Sequence, residues 1–186
     1  MRRRALGAVA VVALTMGGCA TTAPAGPPAA ITQAAVNRAA FNPTDVAWLQ
    51  LVVPMTENAV TAARLAPEHT ASAAVRSAAD ACAGSQERLL ARVRAVRDRA
   101  GLPASDVHSG HRMPGMVTAA DLVALRGDRD AGFDRRLVAL LRAHAAQLVV
   151  LAGGEQASGA DAETRELARE VGAEGTRQGE LLPKTA

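Results

Sequence analysis

The sequence predicts an all-α protein whose main body is a four-helix bundle. Apolar residues recur at spacings of three and four over four long segments, which is the pattern of helices with one buried face. No segment shows the apolar and polar alternation of a half-buried strand. The long segments also align in two pairs, which suggests two helical hairpins that bury their apolar faces against each other.

The first long helix is predicted to begin in the stretch Asn42-Pro43-Thr44-Asp45. Asn42 suits the N-cap, Pro43 suits the first helical position, and the Asp45 carboxylate can bond back to the cap. Apolar residues then follow at helical spacing: Trp48, Val52, Met55, Ala59 and Ala62. Pro54 lacks a backbone N–H group, so we expect a kink there.

The remaining helices are predicted over residues 72–100, 118–127, 131–152 and 161–182. The second long helix should end at Gly101-Leu102-Pro103. Thr118 and Asp121 form a capping box for a short extra helix. A turn rich in Gly and Ser is expected between the last two helices.

The two halves of the chain, about residues 41–101 and 130–182, align with an offset of 89 residues. Asp45 then corresponds to Asp134, and Met55 corresponds to His144. Each half reads as one helical hairpin, and neither hairpin can bury its apolar face alone. We therefore expect a duplicated hairpin within a single domain over residues 41–186.

The N-terminus has the features of an export signal. Arg2, Arg3 and Arg4 precede the apolar run of residues 5–16, which is shorter than the roughly 20 residues that span a bilayer. The stretch Met16-Gly17-Gly18-Cys19 resembles the lipobox of bacterial lipoproteins, which implies cleavage before Cys19 and its acylation.

These features predict a signal peptide over residues 1–18 and a lipid anchor on Cys19, at the extracytoplasmic face of the cell membrane. Residues 19–40 are rich in Pro, Ala and Thr, which is typical of a flexible tether. A plain secreted protein, in which Cys19 is incidental, is the alternative.

Charge and cysteine content argue against nucleic-acid binding and against a disulfide within the mature chain. The formal net charge of +3 equals the contribution of Arg2, Arg3 and Arg4, so the mature chain is close to neutral and does not point to nucleic acid. Once Cys19 is acylated, Cys82 has no partner for an intramolecular disulfide. We expect Cys82 to be a buried, unreactive thiol.

The stretch VHSGHRMPGM, residues 107–116, holds two of the four histidines and two of the five methionines. Imidazole nitrogen and thioether sulfur are ligands for soft ions such as Cu(I). Pro114-Gly115 favours a turn that could direct the metal-ligating side chains of His108, His111, Met113 and Met116 to one ion. Alternatively, the methionines only cover one end of the bundle.

Three segments in this order, residues 45–60, the HSGHRMPGM stretch and residues 132–152, resemble the domain-of-unknown-function 305 family. The resemblance implies a ferritin-like helical bundle of duplicated hairpins, export and, in some members, copper binding. It also implies a His-His pair in each hairpin, at the positions that are Met55-Thr56 and His144-Ala145 here. Three of those four histidines are therefore absent, and Met55 and His144 join the loop as candidate metal ligands.

We expect a membrane-anchored extracytoplasmic lipoprotein that binds copper or another soft ion in metal buffering. The alternative is a structural or protein-interaction lipoprotein that retains only the bundle. His144 could equally be a hydrogen-bonded core residue and Met55 a core filler. Glu57 and His69 are expected to be exposed to solvent.

No catalytic motif argues for an enzyme. A nucleophile elbow, a Walker loop, His-Glu-x-x-His and Cys-x-x-Cys are all missing from the sequence. A di-iron centre would need Glu-x-x-His on two helices, and no Glu has a His three residues later.

Overall fold

A computed structural model describes residues 40–104 and 113–184, and within these ranges the protein is helical without strands. The helices are α1 (Pro43–Ala63), α2 (Ala66–His69), α3 (Ala73–Arg99), α4 (Ala119–Gly127), α5 (Asp130–Ser158) and α6 (Ala162–Leu181). The predictions for the signal peptide, Cys19, the tether, His108 and His111 lie outside the described residues.

The start of α1 is the capping box that the sequence predicts. The Asn42 side chain accepts hydrogen bonds from the backbone N–H groups of Thr44 (2.8 Å) and Asp45 (3.0 Å). The Asp45 carboxylate accepts one from the Asn42 N–H at 2.6 Å. These bonds satisfy donors that the first helical turn leaves free. From this cap α1 continues through Pro54 to Ala63.

The end of α5 differs from the sequence prediction. The helix was expected to stop near residue 152, but it continues through Gly153 and Gly154 to Ser158. Only residues 159–161 then separate α5 from α6. Each glycine costs a helix about 1 kcal/mol, but the extra turns keep Ala152 and Glu155 on the buried face of α5.

The four long helices bury two separate apolar clusters. The first cluster includes Ala59, Ala62, Val75, Ala79, Cys82, Phe133, Leu137 and Leu141. The second includes Trp48, Val52, Leu90, Val93, Leu148, Leu167 and Val171. Helix α1 contacts α3 and α5, and α6 contacts α3 and α5. Each of α1, α3 and α5 contributes to both clusters, so a short stretch of each helix lies between them.

Helix α5 is long and apolar enough to cross a membrane when judged by length and composition alone. Core helices of water-soluble proteins share this property. Here α5 contacts α1, α4 and α6. Its contact with α6 is close at Gly175, where a Cβ atom would lie 2.6 Å from the Ala145 carbonyl oxygen.

Candidate metal centre

A set of residues of the four long helices, many of them polar, lies between the two apolar clusters, and we call this set the central layer. Its members are Met55 and Thr56 on α1, Ser85 and Gln86 on α3, His144 and Ala145 on α5, and Glu174, Gly175 and Gln178 on α6. Two of the predicted metal ligands, Met55 and His144, belong to it. The layer is therefore the place where the described part of the chain brings candidate ligands into the core.

His144 is fully buried and only one of its ring nitrogens has a partner. Nδ1 lies 3.3 Å from the Gly115 carbonyl oxygen. Because a carbonyl oxygen only accepts, Nδ1 carries the hydrogen of the neutral ring. Nε2 is buried and has no hydrogen-bond partner among the described residues, which leave its lone pair free. Burial lowers the pKa of His144 to about 4, against the opposing effect of the Gly115 bond. The imidazole is therefore neutral near pH 7.

The Met-Pro-Gly-Met segment lies directly against α5 beside His144. Met116 N–H donates to the Met113 carbonyl oxygen at 3.1 Å, which closes a tight turn around Gly115. Gly115 has a φ of 70°. A Cβ atom at this position would lie 2.4 Å from Gln147 Cβ and 2.7 Å from the Ala143 carbonyl oxygen. Only glycine allows both this conformation and this approach to α5.

The methionines of the predicted site differ in exposure. Met55 is fully buried on α1, between the apolar clusters. Met113 and Met116 are partly buried and flank the glycine that contacts His144. The structure thus places Gly115, in the described part of the loop, against His144.

A hydrogen-bond network between α3 and α6 completes the central layer. Gln86 Nε2 donates to Gln178 Oε1 at 2.6 Å, and Gln178 Nε2 donates to Glu174 Oε1 at 2.7 Å. Ser85 also donates to Glu174, and Arg177 pairs with it at 2.5 Å. Burial opposes the charge of Glu174, but the bonds from Arg177, Ser85 and Gln178 outweigh it and lower its pKa.

Sequence reasoning missed this network. Ser85 and Gln86 lie in an Ala-rich helix, and Gln178 lies on a strongly charged one. One signal was available, because Ser85 and Glu174 are 89 residues apart, the offset that also pairs Met55 with His144.

A small cavity adjoins the network. Its volume is about 10 Å³, which suits roughly one water molecule. Its lining includes Thr56, Gln86 and Glu174 on the polar side and Val52, Leu90 and Leu148 on the apolar side. The central layer therefore has very little free space in this region.

Hard metal ligands are scarce in the described part of the chain. Over residues 40–104 and 113–184, no group of three or more His, Cys, Asp or Glu side chains is placed to hold an ion. Within the central layer, His144 and Met55 offer soft donors, whereas the Glu174 carboxylate is engaged by Ser85, Gln178 and Arg177.

His69 is buried, contrary to the expectation that it is exposed. Its ring stacks on Phe133 with 5.1 Å between centroids. Arg129 Nη1, which can only donate, lies 2.7 Å from His69 Nδ1. The prediction failed because these partners lie about 60 residues away in the sequence.

The expectations for Cys82 and Glu57 agree with the structure. Cys82 is a buried free thiol, and burial raises its pKa to about 11, so it is protonated near pH 7. Glu57 is partly exposed and pairs with Arg94 at 2.6 Å. Neither group is placed as a ligand of the central layer.

The family of this chain follows from comparison with known proteins. The family described as "Domain of unknown function (DUF305)" matches residues 45–182. The chain belongs to the DUF305 family. The resemblance seen in the sequence is therefore confirmed. No curated protein matches the chain.

Two crystal structures share the DUF305 fold. One is a DUF305 protein from Streptomyces coelicolor that is inferred to be secreted, with a TM-score of 0.66 and 20% identity over 75% of this chain and 89% of that chain. The other is a DUF305 fragment from Deinococcus radiodurans, with a TM-score of 0.67 and 20% identity over 76% and 94% of the two chains. At this identity the likeness establishes the helical fold.

Proposed function

We propose that this DUF305 protein is a membrane-anchored extracytoplasmic lipoprotein that binds one soft metal ion, with Cu(I) as the best match. The observation that carries the proposal is His144. It is fully buried, its Nδ1–H bonds to a backbone carbonyl, and its Nε2 lone pair has no partner in residues 40–104 and 113–184. A metal-binding histidine typically has this arrangement, in which the second nitrogen fixes the tautomer and the ring orientation.

The chemistry of the available donors favours a soft, singly charged ion. A neutral imidazole and the thioethers of Met55, Met113 and Met116 carry no charge to offset a divalent ion. Thioether sulfur selects Cu(I) over harder ions. His108 and His111 would add imidazole donors from the same loop. Copper buffering outside the cytoplasm is the role that we propose for this set.

We further propose that the four long helices form a ferritin-like bundle of two related hairpins. The 89-residue offset supports this view, because it relates α1 to α5 and α3 to α6. It also pairs Met55 with His144 within the central layer. The bundle would have kept one histidine of the two pairs that the family pattern implies.

Membrane attachment is a separate part of the proposal, based on the lipobox-like stretch that ends at Cys19. The secreted description of the Streptomyces coelicolor relative supports an extracytoplasmic location. Replacing Cys19 by Ala should move the protein from the membrane fraction to the soluble exported fraction. Retention of the Cys19→Ala protein in the membrane would contradict the anchor and leave the metal site untouched.

The metal site is tested with the Cys19→Ala chain by anaerobic Cu(I) titration against a competing chelator. We expect one bound equivalent and, for His144→Gln, an affinity weaker by about tenfold or more, since second-sphere and ligand losses have effects of this order. His69→Gln is the matched control, because His69 is also buried but lies outside the central layer.

Three outcomes would contradict the proposed metal site or its assignment to His144. Equal Cu(I) affinity of His144→Gln and His69→Gln would remove His144 from it. If only the joint replacement of His108, His111, Met113 and Met116 abolishes binding, the loop alone holds the ion. Absence of any copper-induced rise in melting temperature would favour the alternative function, a scaffold lipoprotein, because a ligand that binds only the native state must stabilise it.

A further inference from the structure

The last turn of α5 contains a buried carboxyl group without a charged partner. Glu155 is 1% exposed, and within the part of the chain that the structure describes neither of its carboxyl oxygens has a hydrogen-bond donor. The space that it occupies depends on Gly159, where a Cβ atom would lie 2.0 Å from Glu155 Oε1. An isolated carboxylate in such a site would cost several kcal/mol of desolvation, about the cost that usually forces a buried acid to keep its proton.

Glu155 lies beside Asp45, and both carboxyl groups lie at the turn that follows α5. Asp45 is fully buried at the start of α1. Besides the Asn42 N–H, it accepts hydrogen bonds from the backbone N–H groups of Ala160 and Asp161, each at 3.1 Å. The Asp45 carboxyl oxygens thus accept from three backbone N–H groups. Asp45 therefore ties the turn after α5 to the first turn of α1.

The other charges around this pair are already engaged or exposed. Arg99 on α3 bonds to Asp161 and to Glu163, each at 2.9 Å. Burial opposes the charge of Asp161, but the bonds from Arg99 and Thr164 outweigh it and lower its pKa. Arg165 on α6 is exposed and only partly offsets the negative charge near Glu155.

Two ionised carboxylates cannot form a hydrogen bond, because both only accept. A bond between Asp45 and Glu155 therefore requires one proton. Burial and then the bond to Asp45 raise the pKa of Glu155 to about 8. The Asp45 oxygens already accept from backbone N–H groups, whereas no donor among the described residues reaches the Glu155 oxygens, so we assign the hydrogen to Glu155.

We propose that Asp45 and Glu155 form a proton-binding site that latches the turn between α5 and α6 onto the start of α1. Glu155 donates and Asp45 accepts. Loss of the proton would place two negative charges side by side in a buried site and weaken the bonds of Asp45 to Ala160 and Asp161. The latch lies where the predicted tether, residues 19–40, leads into α1.

The first test follows glutamate carboxyl groups by carbon NMR in the Cys19→Ala chain during an alkaline titration. We expect one glutamate to titrate above about pH 7, because its pKa is raised far beyond the ordinary range of about 4.3. This signal should be missing in Glu155→Gln and unchanged in Glu180→Gln, which alters an exposed acid on α6. If every glutamate titrates below about pH 6, the shared proton does not exist.

The second test measures the latch rather than the proton. Amide exchange protection at Ala160 and Asp161, corrected for intrinsic rates, should fall by about tenfold or more between about pH 6 and pH 9. In Glu155→Gln it should stay constant, because the amide donates to Asp45 and has no proton to lose. Constant protection in the Glu155-containing chain would overturn the latch, and this measurement does not depend on whether any variant folds.

Discussion

His144 and Glu155 are two buried titratable groups on the same helix, and burial neutralises them in opposite ways. Burial lowers the pKa of His144 to about 4 and raises the pKa of Glu155 to about 8. Neutral His144 keeps a free lone pair on Nε2, which suits a cation from outside the protein. Neutral Glu155 keeps a hydrogen, which suits the carboxylate that Asp45 already supplies.

The comparison teaches that the two sites respond to pH with opposite signs. His144 binds fewer protons in the folded state, so its contribution is complete above about pH 6.5 and is lost as the pH falls through about 4. Glu155 binds more protons in the folded state. Its contribution is complete below about pH 4.5 and is lost as the pH rises through about 8. Between about pH 4.5 and 6.5 the two effects oppose each other.

The largest expected effect on the pH dependence of stability comes from replacing Glu155. Glu155→Gln should remove the alkaline loss, so that its free energy of unfolding exceeds that of the unsubstituted chain by an amount that grows by about 3–4 kcal/mol between pH 5 and pH 8.5. Urea denaturation at a series of pH values measures this difference. Parallel curves for the two proteins would show that Glu155 does not titrate in the folded state.

The second effect comes from His144. His144→Gln should remove the histidine's share of the acid-side loss, which amounts to about 2–3 kcal/mol between pH 6.5 and pH 4. The opposite slope of Glu155 remains, together with the acid-side losses of carboxyl groups whose pKa is lowered, such as Asp161 and Glu174. The same denaturation series measures it. His69→Gln, which replaces a buried histidine outside the central layer, is the control. Equal changes of the acid limb in the two variants would show that the effect is not specific to His144.

The sequence predicted those parts of the two regions that depend on neighbours in the chain. The caps at Asn42 and Thr118 were readable because each partner lies three residues away. The helical period placed His144 correctly on the buried stripe of α5. Membership of the DUF305 family was also predictable, because it rests on three local segments in a fixed order.

The remaining features depend on contacts between distant residues. The bond from His144 to Gly115 spans 29 residues, and those from Ala160 and Asp161 to Asp45 span 115 and 116. The end of α5 was placed too early because Gly153 and Gly154 are typical of a turn. The burial of Glu155, which favours the longer helix, is a tertiary property that no local pattern reports.

The third prediction concerns the contact between Gly115 of the loop and α5. Gly115→Ala should destabilise the protein by about 2–3 kcal/mol, because it combines a left-handed backbone with a Cβ atom 2.4 Å from Gln147 Cβ. It should also raise the pKa of His144 toward its ordinary value as the loop separates from the ring. Histidine proton NMR and urea denaturation measure the two effects.

Gly132→Ala is the matched control for Gly115→Ala. Gly132 lies on α5, the helix that Gly115 contacts, and a Cβ atom there meets nothing within 4 Å. It should stabilise the protein by about 0.5–1 kcal/mol through helix propensity. Equal effects of the two substitutions on stability and on the pKa of His144 would mean that the loop does not keep His144 buried.

The smallest expected effect on stability concerns the Gln86–Gln178 pair, and it tests whether this part of the central layer serves helix packing or metal binding. Gln86→Leu alone should cost about 1–2 kcal/mol, because it leaves the buried Oε1 of Gln178 without its donor at 2.6 Å. Joint replacement of Gln86 and Gln178 by Leu removes the unsatisfied oxygen but also the Gln178 donor to Glu174 at 2.7 Å, so it should recover only part of this cost in urea denaturation. If Cu(I) affinity is unchanged in the double variant, the glutamine pair serves helix packing, and the candidate ligands of the central layer remain His144 and Met55. A large loss of affinity would instead extend the metal centre from α5 to α3 and α6.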